Sequence, residues 1–431
     1  MTQAAPTHTK ALSKEFSPAL SQEFIDANVT NSEIVDSLTP LRSRSYAKLK
    51  KTPLPNPGEE LWRYTSPEQI ELERVFSGEL NALSGEITLL EYASRKAVSI
   101  PGIQFLSGAS EISPRVAEFE AALTASTIAL RDHATNDAFT DALSLLQIVR
   151  SGAVAYLRVQ RSQRIDSTLL LSSLMLSDAP SGIFAPTIVI HLESGAKLSL
   201  VEDLDFALTG FFLPRIEFIL EANSSLDFTS IQHLPLTTNC VSRHRVRLAR
   251  DARFNSFHVA LGAQVSRIDF DCALMEPGGH AELNSVYLAD SDRRVDLHPT
   301  QIHAAPNCHS NLYSKGVVRD QARGAYFGYI RVAEGAQKTD AYQKNKNLLL
   351  SSEARADSVP NLEIKANDVK CSHGSSIGQI GAEDLFYLMS RGLTRDQAHR
   401  LLVEAFFEDL MPKIGDELVR ENVHNLIMSR L

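Results

Sequence analysis

From about Ser181 the chain alternates apolar and polar residues with a period of two, in the runs TIVIHLE, KLSLVED, RIEFILE, SLDFTSI, HRVRLAR, RIDFDCALM and AELNSVYL. Alternation of this kind sends successive side chains to opposite faces of a strand and predicts β-structure. Short turns separate the runs: ESGA, ANSS, RDAR, PGGH, PNCH and EGAQ. Their central residues, Gly195, Asn223, Asp251, Gly279, Asn307 and Gly335, recur with a constant period of twenty-eight. Gly, Asn and Asp make up about one residue in seven of the chain, so six in phase is not a chance pattern. All three tolerate the left-handed backbone of a tight turn. A fixed period is the mark of a solenoid, in which each coil buries its faces against its neighbours. A coil of that length leaves room for two strands of about ten residues, each ~33 Å long. The expected fold is mostly β: a broad, flattened parallel β-helix over residues 151–380, with the six turn residues stacked along one edge. A β-sandwich would not keep so strict a spacing.

The flanks change period. Residues 1–150 carry the helical patterns SPRVAEFEAALTAS and NDAFTDALSLLQIVR, around the Pro-rich stretch KTPLPNPGEELWRYTSP. Residues 381–431 turn helical again. AEDLFYLMSRGL ends on Gly392, a natural residue just past a helix, and Thr394 with Gln397 has capping-box spacing. The order is helical, β-helix, helical.

Composition adds exclusions. A net charge of −9 argues against nucleic acid as the main partner, since phosphate binding needs concentrated Lys and Arg. No apolar run approaches the ~18 residues of a membrane span, and the N-terminus lacks the features of a signal or transit peptide. A cytoplasmic protein without membrane contact is expected. Cys240, Cys272, Cys308 and Cys371 lie far apart in the chain and form no C-x-x-C. No phosphate loop, nucleophile elbow or zinc-protease motif occurs, and no paired carboxylates recur at matching phases of successive coils, as a β-helix carbohydrate-active enzyme would need. The acidic loop LADSDRRVD reads as local ion pairs. The chain is not expected to be an enzyme.

One stretch carries chemistry. In NDVKCSHGSSIG, Val369, Cys371 and His373 share one face of a strand, and the two ligand-type residues stand ~6.6–7 Å apart at Cα. Thiolate and imidazole suit iron or zinc rather than magnesium or calcium. Two ligands do not close a site, so a metal here would take the rest from a second subunit. A buried Cys–His pair with no ligand role is the plain alternative. Cys308, His309 and His303 form a second small cluster at a turn, Cys308 and His303 being the less certain metal-ligand candidates. A homo-oligomeric metal-binding β-helix is compatible with the pair.

The segment Lys315 to Leu393, with AQKTDAYQ, NLLLS, P-x-LEI-x-A-x-DVKCSHG and LFYL-x-SRG, resembles the SufB/SufD family of iron–sulfur cluster assembly scaffolds, and its SufD members in particular. IHAAPNC and LWRYT extend the likeness upstream. The resemblance implies a right-handed parallel β-helix between helical ends and a non-enzymatic scaffold subunit of a SufBCD-type complex. It would pair with a SufB-type subunit and bind an ABC ATPase of the SufC type, with a homodimer as the state of the chain alone. A transient iron–sulfur cluster at the subunit interface would be the cargo; no residue pattern specifies a flavin. His373 becomes the leading cluster ligand and Cys371 its neighbour, as ligand or sulfur handler. The polar run AQKTDAYQKNKN suits a subunit interface. In the last helical region Ala398, Leu401, Leu402, Ala405 and Leu410 make an apolar stripe, and Leu402, Phe406 and Phe407 are the candidates for docking the ATPase.

Overall fold

The computed structural model describes residues 35–49, 80–112, 138–175 and 180–431, with isolated positions between 52 and 119. Most of the pattern SPRVAEFEAALTAS, most of the Pro-rich stretch and residues 1–34 lie outside the described residues; NDAFTDALSLLQIVR yields the helix Ala138–Val149.

The strands form two sheets, of nine and eleven strands, and successive coils contribute to each in turn. Pairing from Ala153 onward is parallel, the signature of a β-helix. Along one edge, Lys197, Ser225, Arg253, His280, His309, Asp340 and Lys370 are paired in succession, so the steps between coils are 28, 28, 27, 29, 31 and 30. The constant period therefore holds for the early coils and drifts in the later ones.

That drift moves two of the six turn positions. The residue two places before each of the first six paired positions is Gly195, Asn223, Asp251, Gly278, Asn307 and Lys338 in turn, with φ of 75°, 60°, 55°, 81°, 59° and 58°. The left-handed ladder is real, but it passes through Gly278 rather than Gly279, and through Lys338 rather than Gly335. At Gly278 a side chain would also strike the Asp251 carboxylate. The turn before Lys338 is longer, which displaces the ladder from its in-phase glycine.

The segment before the solenoid also supplies strands. Gly85–Glu91 and Ile103–Ser107 add antiparallel to Leu169–Met175 and Ala153–Val159, and so finish the first edge of each sheet. Inside the solenoid, Phe184, Phe212, Phe218, Phe228, Phe254 and Phe270 are buried between the sheets, the rings of Phe218 and Phe228 meeting edge to face at 4.9 Å. Each such side chain contributes roughly 1.5–3 kcal/mol of burial.

Each outer face is covered by one flank. On the eleven-stranded sheet, Ala142, Leu143 and Leu146 pack on Ile183, Phe211 and Val241; the Arg215 guanidinium donates to the Ser144 carbonyl, and Arg267 lies 3.7 Å over the Trp62 ring. On the nine-stranded sheet, Val403, Phe407, Leu410, Val419, Val423 and Ile427 of the C-terminal helices pack on Val201, Phe257, Val286 and Val317. The expected caps are present: Gly392 has φ +96°, and Thr394 and Gln397 exchange both capping-box bonds. Asp290 in the acidic loop pairs with Arg293 and Arg319, as its composition implied.

Candidate functional site

The solenoid stops on two strands with one neighbour each. Among the described residues, Arg355–Ile364 pairs only with Arg323–Val332, and Val369–Gln379 only with Thr339–Leu349. The last strand, VKCSHGSSIGQ, holds no proline or acidic residue and has a single lysine. An edge of that length with bare backbone donors and acceptors is a template for a further strand. Ile364 and Ile377 stand 40% and 45% exposed beside it.

Cys371 and His373 lie on this edge strand, opposite Ala341 and Gln343. Ala341 and Gln343 are buried, so this is the face that continues the interior of the solenoid. Cys371 is half-buried against Ile330, Val332, Ala341 and Ala366; burial and nearby Asp340 push its thiol pKa up, favouring the protonated form. His373 is exposed where the interior opens to solvent. The pair thus offers sulfur and nitrogen donors side by side at an open mouth. The Ala341 backbone N–H works against that rise, and a cation brought to the mouth would favour the thiolate further.

Cys308 and His303 are elsewhere. His303 is fully buried, its Nε2 2.7 Å from the Ser310 hydroxyl, and burial drives its pKa down to about 3. The Cys308 thiol donates to the Glu276 carbonyl at 3.4 Å. Ser310 stands two strands inward of Cys371 in one column (Ser310, Ala341, Cys371), so the second cluster is sealed two coils behind the mouth. Stacking places these two residues inside the solenoid rather than at the rim.

The polar run AQKTDAYQKNKN is likewise not a free edge. It forms the penultimate strand, and Thr339, Gln343, Asn345 and Asn347 point inward and are buried. Tyr287 Oη donates to Asn347 Oδ1 at 2.6 Å, Tyr326 Oη to Gln343 Oε1 at 3.0 Å, and Asn347 Nδ2 to Asn345 Oδ1 at 2.7 Å. The lumen is therefore hydrogen-bonded next to the mouth, a feature hidden in the sequence because the run reads as surface.

Of the docking candidates, Phe407 packs inside the parent fold. It is 2% exposed and packs on the nine-stranded sheet, since Ala398, Val403 and Phe407 make the buried stripe of their helix while Leu401 is 44% exposed. Phe406 and Leu402 are half-buried, and Phe406 lies 4.7 Å from the Lys315 ammonium, which also pairs with Asp409 at 2.5 Å. The apolar surface that sequence reasoning passed over is the helix Ala382–Ser390. It has no buried residue and presents Phe386, Tyr387 and Met389 at 74%, 57% and 43% exposure.

Among the described residues no helix is long and apolar enough to cross a membrane. Residues 175–406 match the family description "SUF system FeS cluster assembly, SufBD core domain". An iron–sulfur cluster assembly SufBD family protein of Mycobacterium leprae is 36% identical over 228 residues, covering 51% of this chain and 58% of that protein. The chain thus spans little more than half the length of that relative. A Pyrococcus horikoshii member is 32% identical over 240 residues, 55% of the chain and 53% of the relative. The iron–sulfur cluster assembly protein SufD of Escherichia coli is 29% identical over 412 residues, 91% of this chain and 93% of that protein. A family match over more than half the chain, on a parallel β-helix whose last strand carries the Cys371–His373 pair, places the chain in the SufB/SufD family, with a SufD-like sequence.

Proposed function

We propose that this chain is a non-enzymatic scaffold subunit for iron–sulfur cluster assembly, and that a nascent cluster is held at its open end between Cys371, His373 and a second, SufB-type subunit. The observation that carries the reading is the placement of two soft donors on an unpaired edge strand, with bare backbone on one side and exposed Ile364 and Ile377 nearby. A partner adding strands to that edge would satisfy the backbone groups and bring the remaining ligands; iron ligation would lower the thiol pKa that burial raises. The cluster is cargo, complete only while both subunits are in place.

The C-terminal helices are the proposed docking surface for an ABC ATPase of the SufC type, with Phe386, Tyr387 and Met389 joined by Phe406 and Leu402. The compartment we propose is the cytoplasm. The test is co-expression with SufB- and SufC-type partners, followed by iron and sulfide analysis of the purified complex. His373→Ala should leave the complex assembled and lower both contents several-fold; Cys371→Ser should do so less severely. Wild-type cluster content in His373→Ala would overturn the ligand assignment, and a chain that forms only homodimers through this edge would overturn the heteromeric reading.

A further inference from the structure

The outer face of the nine-stranded sheet carries a cluster that the scaffold role does not use. His280 and His309 are paired neighbours on adjacent strands, their rings stacked at 4.7 Å and 20°. Glu282, two residues after His280, aims Oε1 at both imidazoles: it lies 3.7 Å from His280 Nε2 and 3.7 Å from His309 Nε2. Neither distance is a hydrogen bond. The donor atoms of the three side chains all lie within 4.8 Å of one another, the single such group of three or more among the described residues.

We propose that His280, His309 and Glu282 form a binding site for a borderline divalent cation of the Zn(II) or Fe(II) class. Metal–donor distances of ~2.0–2.2 Å put neighbouring ligand atoms roughly 3.0–3.5 Å apart, so the present spacing closes with small side-chain rotations. Two imidazoles and one carboxylate on one side of an ion leave open positions facing solvent. A second observation supports the assignment: His309 Nδ1 lies 3.7 Å from Asp340 Oδ2, on the next strand. A carboxylate that closes to hydrogen-bond distance behind a ligating histidine holds the proton on the nitrogen away from the metal and leaves the other nitrogen bare.

Cations also crowd the site. Glu282 Oε2 accepts from Asn311 Nδ2 at 3.3 Å and lies 3.2 Å from the Lys413 ammonium, and Arg253 is the strand neighbour of His280. Lys413 and Arg253 weaken metal binding, and Lys413 makes its strength tunable. The site is distinct from the Cys371–His373 mouth: Glu282, Asn311, Tyr342 and Ser372 make one column along the sheet, and Ser372 faces away from its neighbours Cys371 and His373.

The experiment uses the full chain with Cys371→Ser and His373→Ala, stripped by chelator and titrated with Co(II), then with Zn(II) in competition. One Co(II) per chain should bind, with a weak visible spectrum of nitrogen and oxygen ligation and no thiolate charge-transfer band. His280→Ala with His309→Ala should weaken binding at least roughly tenfold. Lys413→Met should tighten it severalfold, an effect that general loss of structure would not produce. No Co(II) binding at millimolar metal, a thiolate band, or unchanged affinity in the double histidine variant would overturn the proposal.

Discussion

Among the described residues, the solenoid starts on two antiparallel strands from the preceding segment, Gly85–Glu91 and Ile103–Ser107, and ends on two parallel ones, Arg355–Ile364 and Val369–Gln379, each of the four being the edge of its sheet. The early coils between these ends are filled by phenylalanines, whereas the last ones are filled by Tyr287, Tyr326, Gln343, Asn345 and Asn347 in mutual hydrogen bonds. An apolar interior gains from burial in any orientation, but a polar interior is favourable only when each group meets its partner in register. The molecule therefore places non-directional stabilisation away from the mouth and directional, geometry-setting contacts beside it. Non-directional packing and directional hydrogen bonding are assigned to different coils.

Substitutions can break this contrast, and the largest effect belongs to the apolar coils. Phe218→Ala should cost about 3–5 kcal/mol in denaturant unfolding, because its cavity is enclosed by Phe228 and Phe254. Ile377→Ala at the mouth, starting 45% exposed, should cost under ~1 kcal/mol. Comparable losses at the two positions would mean that the end is as tightly packed as the middle.

Next comes the polar group lodged among the aromatic coils. Glu202 is buried and accepts from the Ser230 hydroxyl at 2.7 Å, and desolvation raises its pKa to about 7. Between the unfolded carboxyl's value and about 7 the folded chain keeps a proton that the unfolded chain has lost, so stability falls as pH rises through that window. Buried His258 acts with the opposite sign. Its pKa is lowered to about 4, so the unfolded chain binds the extra proton between there and 6.5, and stability rises with pH across that range. Glu202→Gln should remove the decline and leave the rise, gaining up to about 3 kcal/mol at pH 8 relative to pH 5. Denaturation midpoints from pH 5 to 8 check this; parallel profiles for the two proteins would show Glu202 ionised throughout.

The edge ladder gives a smaller effect. Gly278→Val should cost about 1–3 kcal/mol, since φ is left-handed and the side chain would strike Asp251, while Gly279→Val should cost less. The reverse order would restore the strict phase of the early coils. Smallest of all, His373→Ala should change unfolding by no more than ~0.5 kcal/mol, as expected of an exposed side chain. A larger loss would make His373 structural and remove the contrast between the mouth and the filled coils.

Some of this was legible in the chain alone. Period-two alternation and the recurrence of Gly195, Asn223, Asp251 and Asn307 follow from strand pleat and turn backbone, which are local, so they announced the β-helix and most of its ladder. The same local rule put Cys371 and His373 on one face. Which face is interior, and that the strand is the last of its sheet, depended on stacking, as did the burial of Cys308, His303 and Phe407. Lys338 entered the ladder only because a longer turn shifted the register. The His280–Glu282–His309 cluster has no motif, because His309 joins the other two across strands rather than along one. Contacts within a strand or turn are set by neighbouring residues in the chain. Contacts between coils depend on the summed lengths of every turn between them, and only the folded stack settles those.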